Sequence, residues 1–220
     1  MAQRTVHYTF GVLLSGDMEQ KDRSRFLLGS LLPDAYSMKP ERELTHYTER
    51  DLGLGTVWFD FGKFRAEFPA EVRADPLYLG YYLHVLEDDL HRQVIHGAGE
   101  EKMTPKDDRE LALLYRDYHI LNRRFRALYD LKDELVLPPD FETLPINRRV
   151  PLNAAGMIED LRADLLDDLD APLTMLPEGL TETFVTDSLP TLKTEMAAVL
   201  RGETTLCARD FMWKRHLRYN

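Results

Sequence analysis

The chain has 220 residues, is 44% apolar, and carries 38 acidic against 28 basic side chains for a formal charge of −10. That apolar content suffices for one packed domain over residues 1–220, and the acidic balance counts against a long nucleic-acid partner, which needs basic patches to neutralise phosphates. No run approaches 18 apolar residues, the first residues lack a secretory pattern, and the single cysteine, Cys207, excludes an internal disulfide or a multi-thiolate zinc site, so a cytoplasmic protein without a transmembrane segment is expected.

Helical signals dominate and period-two strand signals are scarce, which predicts an all-α, multi-helix fold. A short apolar segment runs from Val6 to Leu14. A second helix is predicted from Ser24, a plausible cap, to Leu32, stopped by Pro33. From Met38 to Phe68 the glycines and aromatics predict loops and short helices. Asp75-Pro76 reads as an N-cap followed by a first-turn proline. The helix it opens should bury Leu79, Leu83, Leu86, Leu90 and Val94 and end at Gly97. Thr104-Pro105 repeats that start, with Asp107 near the positive helix end, ahead of a stripe of Leu111, Leu114, Tyr118, Leu121, Phe125 and Leu128. Pro138-Pro139 is a break. Ala154, Ile158, Leu161, Leu165 and Leu169 predict a further helix, ended before Pro172. Two more are expected over Thr181 to Leu200, kinked or divided by Pro190, and Leu206 to Arg218. The basic residues from Lys214 to Tyr219 read as a solvated helix end.

The run His84-Val85-Leu86-Glu87-Asp88-Asp89-Leu90-His91 carries the most chemistry. On a helix, positions 84, 88 and 91 fall within about 60° of one another. Nitrogen and oxygen donors on one face suit zinc or another first-row divalent ion. The plainer reading of His84 is a core histidine satisfied by Asp88 one turn on. Glu87 and Asp89 read as a solvated acidic face. Trp58, Phe59, Phe61, Tyr81 and Tyr82 read as core packing before pocket lining. His96 and His216 read as surface or core-edge residues.

Three other segments stand in order before this run: an early histidine, His7; Gly29-Ser30-Leu31-Leu32-Pro33-Asp34; and Thr45-His46. Together with Gly80-Tyr81-x-x-His84-x-x-x-Asp88 they resemble, over roughly residues 5 to 95, the zinc-dependent phospholipases C and their distant relatives, the single-strand-specific zinc nucleases. The resemblance implies a helical phospholipase C/nuclease-like domain. It implies a principal zinc held by Asp34, His46, His84 and Asp88, with Asp88 bridging to a second zinc that His7 helps to hold. The family's third metal needs a later histidine and a His-x-x-x-Glu pair. Here Arg123 stands four residues after His119, so one or two zinc ions are expected, with His91, Asp117 and His119 as subsidiary ligands.

Zinc lowers the pKa of bound water to about 7 and polarises a phosphoryl oxygen. The resemblance makes Asp34 the base for that water. It implies a phosphodiesterase or phospholipase C-like hydrolase acting on a small phosphate ester or a phospholipid headgroup. Two alternatives stand beside it: a nuclease of the same superfamily, which the charge disfavours, and a non-catalytic helical protein whose metal staples helices together. Structural zinc is closed and four-coordinate, whereas catalytic zinc keeps a water.

Overall fold

The segment opened by Asp75-Pro76 becomes the central helix of a mostly helical protein. The structure, a computed structural model, describes residues 3–38, 40–97, 103 and 105–214. In chain order its helices are α1 (Arg4–Leu14), α2 (Gln20–Gly29), α3 (Glu41–Thr45), α4 (Phe61–Glu67), α5 (Glu71–Ala74), α6 (Pro76–Gly97), α7 (Asp108–Tyr129), α8 (Pro145–Arg149), α9 (Ala154–Asp164) and α10 (Leu180–Leu200). Short 3₁₀ turns lie at Leu32–Asp34, Phe141–Thr143 and Ala208–Phe211. Among the described residues no helix is long and apolar enough to cross a membrane.

Asp75 starts α6 as expected, its carboxylate accepting from Leu77 N at 3.0 Å, and the helix ends at Gly97. Leu77, Tyr78, Leu79, Tyr81, Tyr82, Leu83, Val85 and Leu86 are all buried, so this helix is covered on every side over its first half. Helices α2, α4, α5 and α10 pack around it. The five aromatics Trp58, Phe59, Phe61, Tyr81 and Tyr82 are core residues. Two glycines set the α2–α6 distance. A Cβ on Gly29 would stand 2.0 Å from Leu77 O, and one on Gly80 would stand 2.3 Å from Phe26 O. The helices therefore cross backbone on backbone, which only a residue without a side chain permits.

Several predicted boundaries move, each for an identifiable reason. Helix α2 begins at Gln20, not Ser24. The Ser24 hydroxyl donates instead to Glu134 O and accepts from Val136 N, tying down the irregular segment that holds Pro138 and Pro139. The N-cap of α7 is Asp107, whose carboxylate accepts from Glu110 N at 2.8 Å. Thr104 lies outside the described residues. Leu121 and Phe125 are buried, but Leu111 and Leu128, at the two ends of the stripe, are exposed. Helix α9 stops at Asp164, leaving Leu169 outside it and exposed. Pro190 lies inside α10 without dividing it.

The segment from Met38 to Phe68 contains, besides its short helices, strands β1 (Thr48–Asp51) and β2 (Thr56–Phe59). They pair antiparallel, Thr48 opposite Phe59 and Asp51 opposite Thr56. The helix expected over Leu206 to Arg218 is absent from its described part. A 3₁₀ turn and strand β3 (Trp213–Lys214) stand there, and β3 adds to β2 through Val57 and Trp213. This pairing is long-range, so no local period announces it. Residues 215–220, His216 among them, and the His96 side chain lie outside the description.

Near its end α10 carries a buried carboxylate that locks the following loop to α6. Glu195 accepts from Tyr82 Oη at 2.7 Å, Thr204 Oγ1 at 2.7 Å, Thr205 N at 2.8 Å and Thr205 Oγ1 at 2.5 Å. Burial pushes this carboxyl up, but the hydrogen bonds from Thr204, Thr205 and Tyr82 prevail and hold it below the usual glutamate range. A depressed carboxyl stabilises the fold above its unfolded-state pKa, and that stability is lost as the pH falls through the folded value. Glu195→Gln is expected to cost about 1–3 kcal/mol at neutral pH. Urea unfolding at stepped pH should also show a shallower loss of stability below pH 4.5 than in the native protein.

Candidate metal centre

Four segments bring five donors together in the core. His7 comes from the middle of α1, Asp34 from the end of the 3₁₀ turn after α2, His46 from the residue that caps α3, and His84 and Asp88 from adjacent turns of α6. His7, His46, His84 and Asp88 are fully buried, and the Asp34 side chain keeps 17% of its surface exposed. The donors form two overlapping groups, His7–Asp34–His84 and His46–His84–Asp88. Within each group, one ligand atom per residue lies within 4.8 Å of the others. The groups adjoin at His84, whose inward nitrogen has one lone pair and so serves one ion at a time.

The orientation of the rings is fixed from behind. His84 Nδ1 donates to Ser30 O at 2.7 Å, and His46 Nδ1 donates to Arg42 O at 3.0 Å. Carbonyl oxygens only accept, so both rings present a proton on Nδ1 to them and turn Nε2 inward. His7 Nδ1 is held by Glu87 Oε2 at 2.7 Å. The rings of His7 and His84 stack at 3.7 Å and 18°, and His46 meets His84 edge-on at 5.4 Å. The Nε2 atoms of all three histidines, and Asp34 Oδ1, are buried without a hydrogen-bond partner.

What these atoms face decides the chemistry. His46 Nε2 lies 3.3 Å from Asp34 Oδ1 and 3.4 Å from Asp88 Oδ2, and His7 Nε2 lies 3.5 Å from Asp88 Oδ1. This sets His46 Nε2 against two carboxylate oxygens, an arrangement that needs a cation or a proton between them. Each buried polar atom left unsatisfied costs about 1–3 kcal/mol. A divalent ion held by either group would satisfy the donors of that group, and histidine nitrogens with carboxylate oxygens suit zinc. The residues present fit the ion. Burial, reinforced by the charge of His7, pushes His84 down to about 3, which keeps its Nε2 available at neutral pH. At His7 burial also pushes down, but Asp88 and Glu87 prevail and raise it to about 10. Without a cation these carboxylates hold a proton there.

The subsidiary candidates are not brought to this point. Asp117 is buried, but its carboxylate accepts from the backbone N–H groups of Thr174, Met175 and Leu176 at 2.6–3.0 Å and so anchors that loop. His119 is exposed and paired with Asp167 at 2.8 Å. His91, partly buried, packs edge-on against Phe184 at 5.1 Å and belongs to neither donor group.

Glu87 and Asp89 do not form a solvated face: both are buried. Asp89 accepts from Phe59 N at 3.2 Å, and burial raises its carboxyl well above the ordinary range. Burial likewise pushes Glu87 up to about 7 against the pull of His7. Residues 84, 87, 88 and 91 lie toward one helical face, but that spacing does not separate a buried acid from a solvated one. Arg42 had no signal in the sequence. Its guanidinium lies 3.6 Å from Asp88 Oδ2 and 5.4 Å over the Phe59 ring, with a quarter of the side chain exposed. The turn that presents His46 is also unusual. Tyr47, the next residue, holds a left-handed φ of 52°, fixed by a hydrogen bond to Glu67 and by Arg149 stacked over its ring at 4.0 Å.

No family model, no curated protein and no solved structure matches this chain. The likeness to the zinc phospholipases rests on the four sequence segments, all of which meet in this one cluster.

Proposed function

We propose that the chain is a metal-dependent hydrolase of phosphate esters with a phospholipase C/nuclease-like fold, using one or two zinc ions held by His7, Asp34, His46, His84 and Asp88. The observation that carries the reading is the pair of three-donor groups that share His84, each one ligand short of the four that close a structural site. Zinc, when bound, supplies the charge that polarises a phosphoryl oxygen and acidifies a water.

The chain's own residues divide the remaining work. Asp34 is the donor with exposed surface, so it meets solvent and substrate and is placed to take the proton from an attacking water. Arg42 stands next to Asp88 with a quarter of its side chain exposed, and its guanidinium is a donor suited to phosphoryl oxygens. Ser30 O and Arg42 O keep His84 and His46 from rotating out of line. The formal charge of −10 favours a small ester or a phospholipid headgroup over a polynucleotide.

One observation favours a second reading, a closed structural metal: four of the five donors have no exposed surface. Turnover separates the two. Zinc-loaded protein assayed against phosphomonoesters, phosphodiesters and phospholipid headgroup esters is expected to show hydrolysis that a chelator abolishes. Arg42→Gln is expected to raise KM roughly tenfold at unchanged zinc content. A chelator that lowers stability while no ester is turned over would favour the structural metal, and a chelator without any effect would end the metal reading.

A further inference from the structure

We infer that Glu87 is a positioning residue for the metal centre, holding His7 as a ligand through a carboxylate–histidine–metal relay. The inference rests on the metal reading above and adds a residue outside the donor set. His7 Nδ1 and Glu87 Oε2 are 2.7 Å apart, with His7 wholly buried and Glu87 1% exposed. The opposite ring nitrogen, Nε2, points into the cluster without a hydrogen-bond partner and lies 3.5 Å from Asp88 Oδ1. The three histidines are thus not equivalent. His46 and His84 lean on neutral carbonyls, whereas His7 leans on a carboxylate.

An acceptor behind Nδ1 fixes the tautomer and the ring plane, and a charged one also makes Nε2 a stronger donor to a cation. Helix geometry makes the pairing possible. Glu87 and Asp88 are neighbours on α6, so one reaches the back of the His7 ring while the other faces its front. A carboxylate is expensive in a protein core. A fold that needed only packing at position 87 would be served by an apolar side chain, and the neighbouring α6 positions Val85 and Leu86 hold one.

Glu87→Gln keeps an acceptor of the same length and removes the charge, while Glu87→Leu removes both. Zinc affinity measured by competition with a chromophoric chelator is expected to fall roughly 10–100-fold in Glu87→Gln and further in Glu87→Leu. The visible spectrum of the cobalt-substituted protein is expected to shift in both. The unfolding temperature without metal is expected to change less than the metal-induced rise does. Native protein that binds zinc as tightly as both variants, with unchanged cobalt spectra, would overturn the positioning role and leave the metal reading standing. Native protein that binds neither ion would overturn both. If Glu87→Leu does not fold, the Glu87→Gln affinity and spectrum decide alone.

Discussion

Gly80→Ala is expected to unfold the α2–α6 interface and to take the metal centre with it. Two effects of opposite sign compete at this position. Alanine in a helix interior is intrinsically better than glycine by about 1 kcal/mol. The added Cβ, however, would stand 2.3 Å from Phe26 O and 2.9 Å from Ser30 N, both backbone atoms that cannot swing aside as a side-chain end would. Overpacking of a tight core costs about 1–3 kcal/mol when side chains can adjust. Here a whole helix must move, so a net loss of about 3 kcal/mol or more is expected. Moving α2 also carries Ser30 O away from His84 Nδ1, a contact of 2.7 Å, and loosens the ring that serves both donor groups. Chemical denaturation and zinc affinity should therefore fall together. Gly16→Ala, where the new atom meets nothing within 4 Å, is the matched control and should be close to neutral. A Gly80→Ala protein as stable as the native one would show that the two helices do not cross so closely.

His84→Ala is expected to produce the largest loss of metal affinity of any single ligand. His84 belongs to both donor groups, stacks on His7 and meets His46 edge-on. Four-ligand zinc sites are worth about 10–16 kcal/mol at pH 7. An even share per ligand then corresponds to a loss of roughly 10²-fold to 10³-fold in affinity. The truncation also leaves Ser30 O without its donor and a void beside His7, so the protein without metal should lose about 1–3 kcal/mol. The diagnostic quantity is the zinc-induced rise in unfolding temperature, which follows the ratio of free zinc to Kd. That rise should be large in the native protein and nearly absent in His84→Ala at equal zinc. The same rise in both proteins would remove His84 from the site.

Much of this centre was legible in the sequence because its parts are local signals. Asp75-Pro76 and Gly97 bracket α6, so the one-turn spacing of His84 and Asp88 followed directly. Pro33 does present Asp34 at the end of a turn, and Thr45-His46 does close a short helix. The glycines of the two resembling segments, Gly29 and Gly80, were visible as letters, but their meaning was not. It lies in their meeting each other's helix across the core.

What escaped was set by surroundings that no periodicity records. Glu87 and Asp89 look like a polar face until α6 is covered on every side; then each acid needs a buried partner, His7 in one case and the Phe59 backbone in the other. Asp117 has the residue type of a ligand and serves a loop through three backbone N–H groups, and nothing near position 117 announces that loop at 174–176. Ser24 has the residue type of a cap and spends its hydroxyl on a segment more than a hundred residues away. The β1–β2–β3 sheet is invisible for the same reason, because its third strand comes from the other end of the chain.

The most direct measurement is anomalous diffraction at the zinc edge from crystals of the full chain grown with zinc. The cluster predicts a peak enclosed by the Nε2 atoms of His7, His46 and His84 and the carboxylates of Asp34 and Asp88. Peaks confined to surface residues such as His119 and Asp167, with none among these five donors, would contradict it.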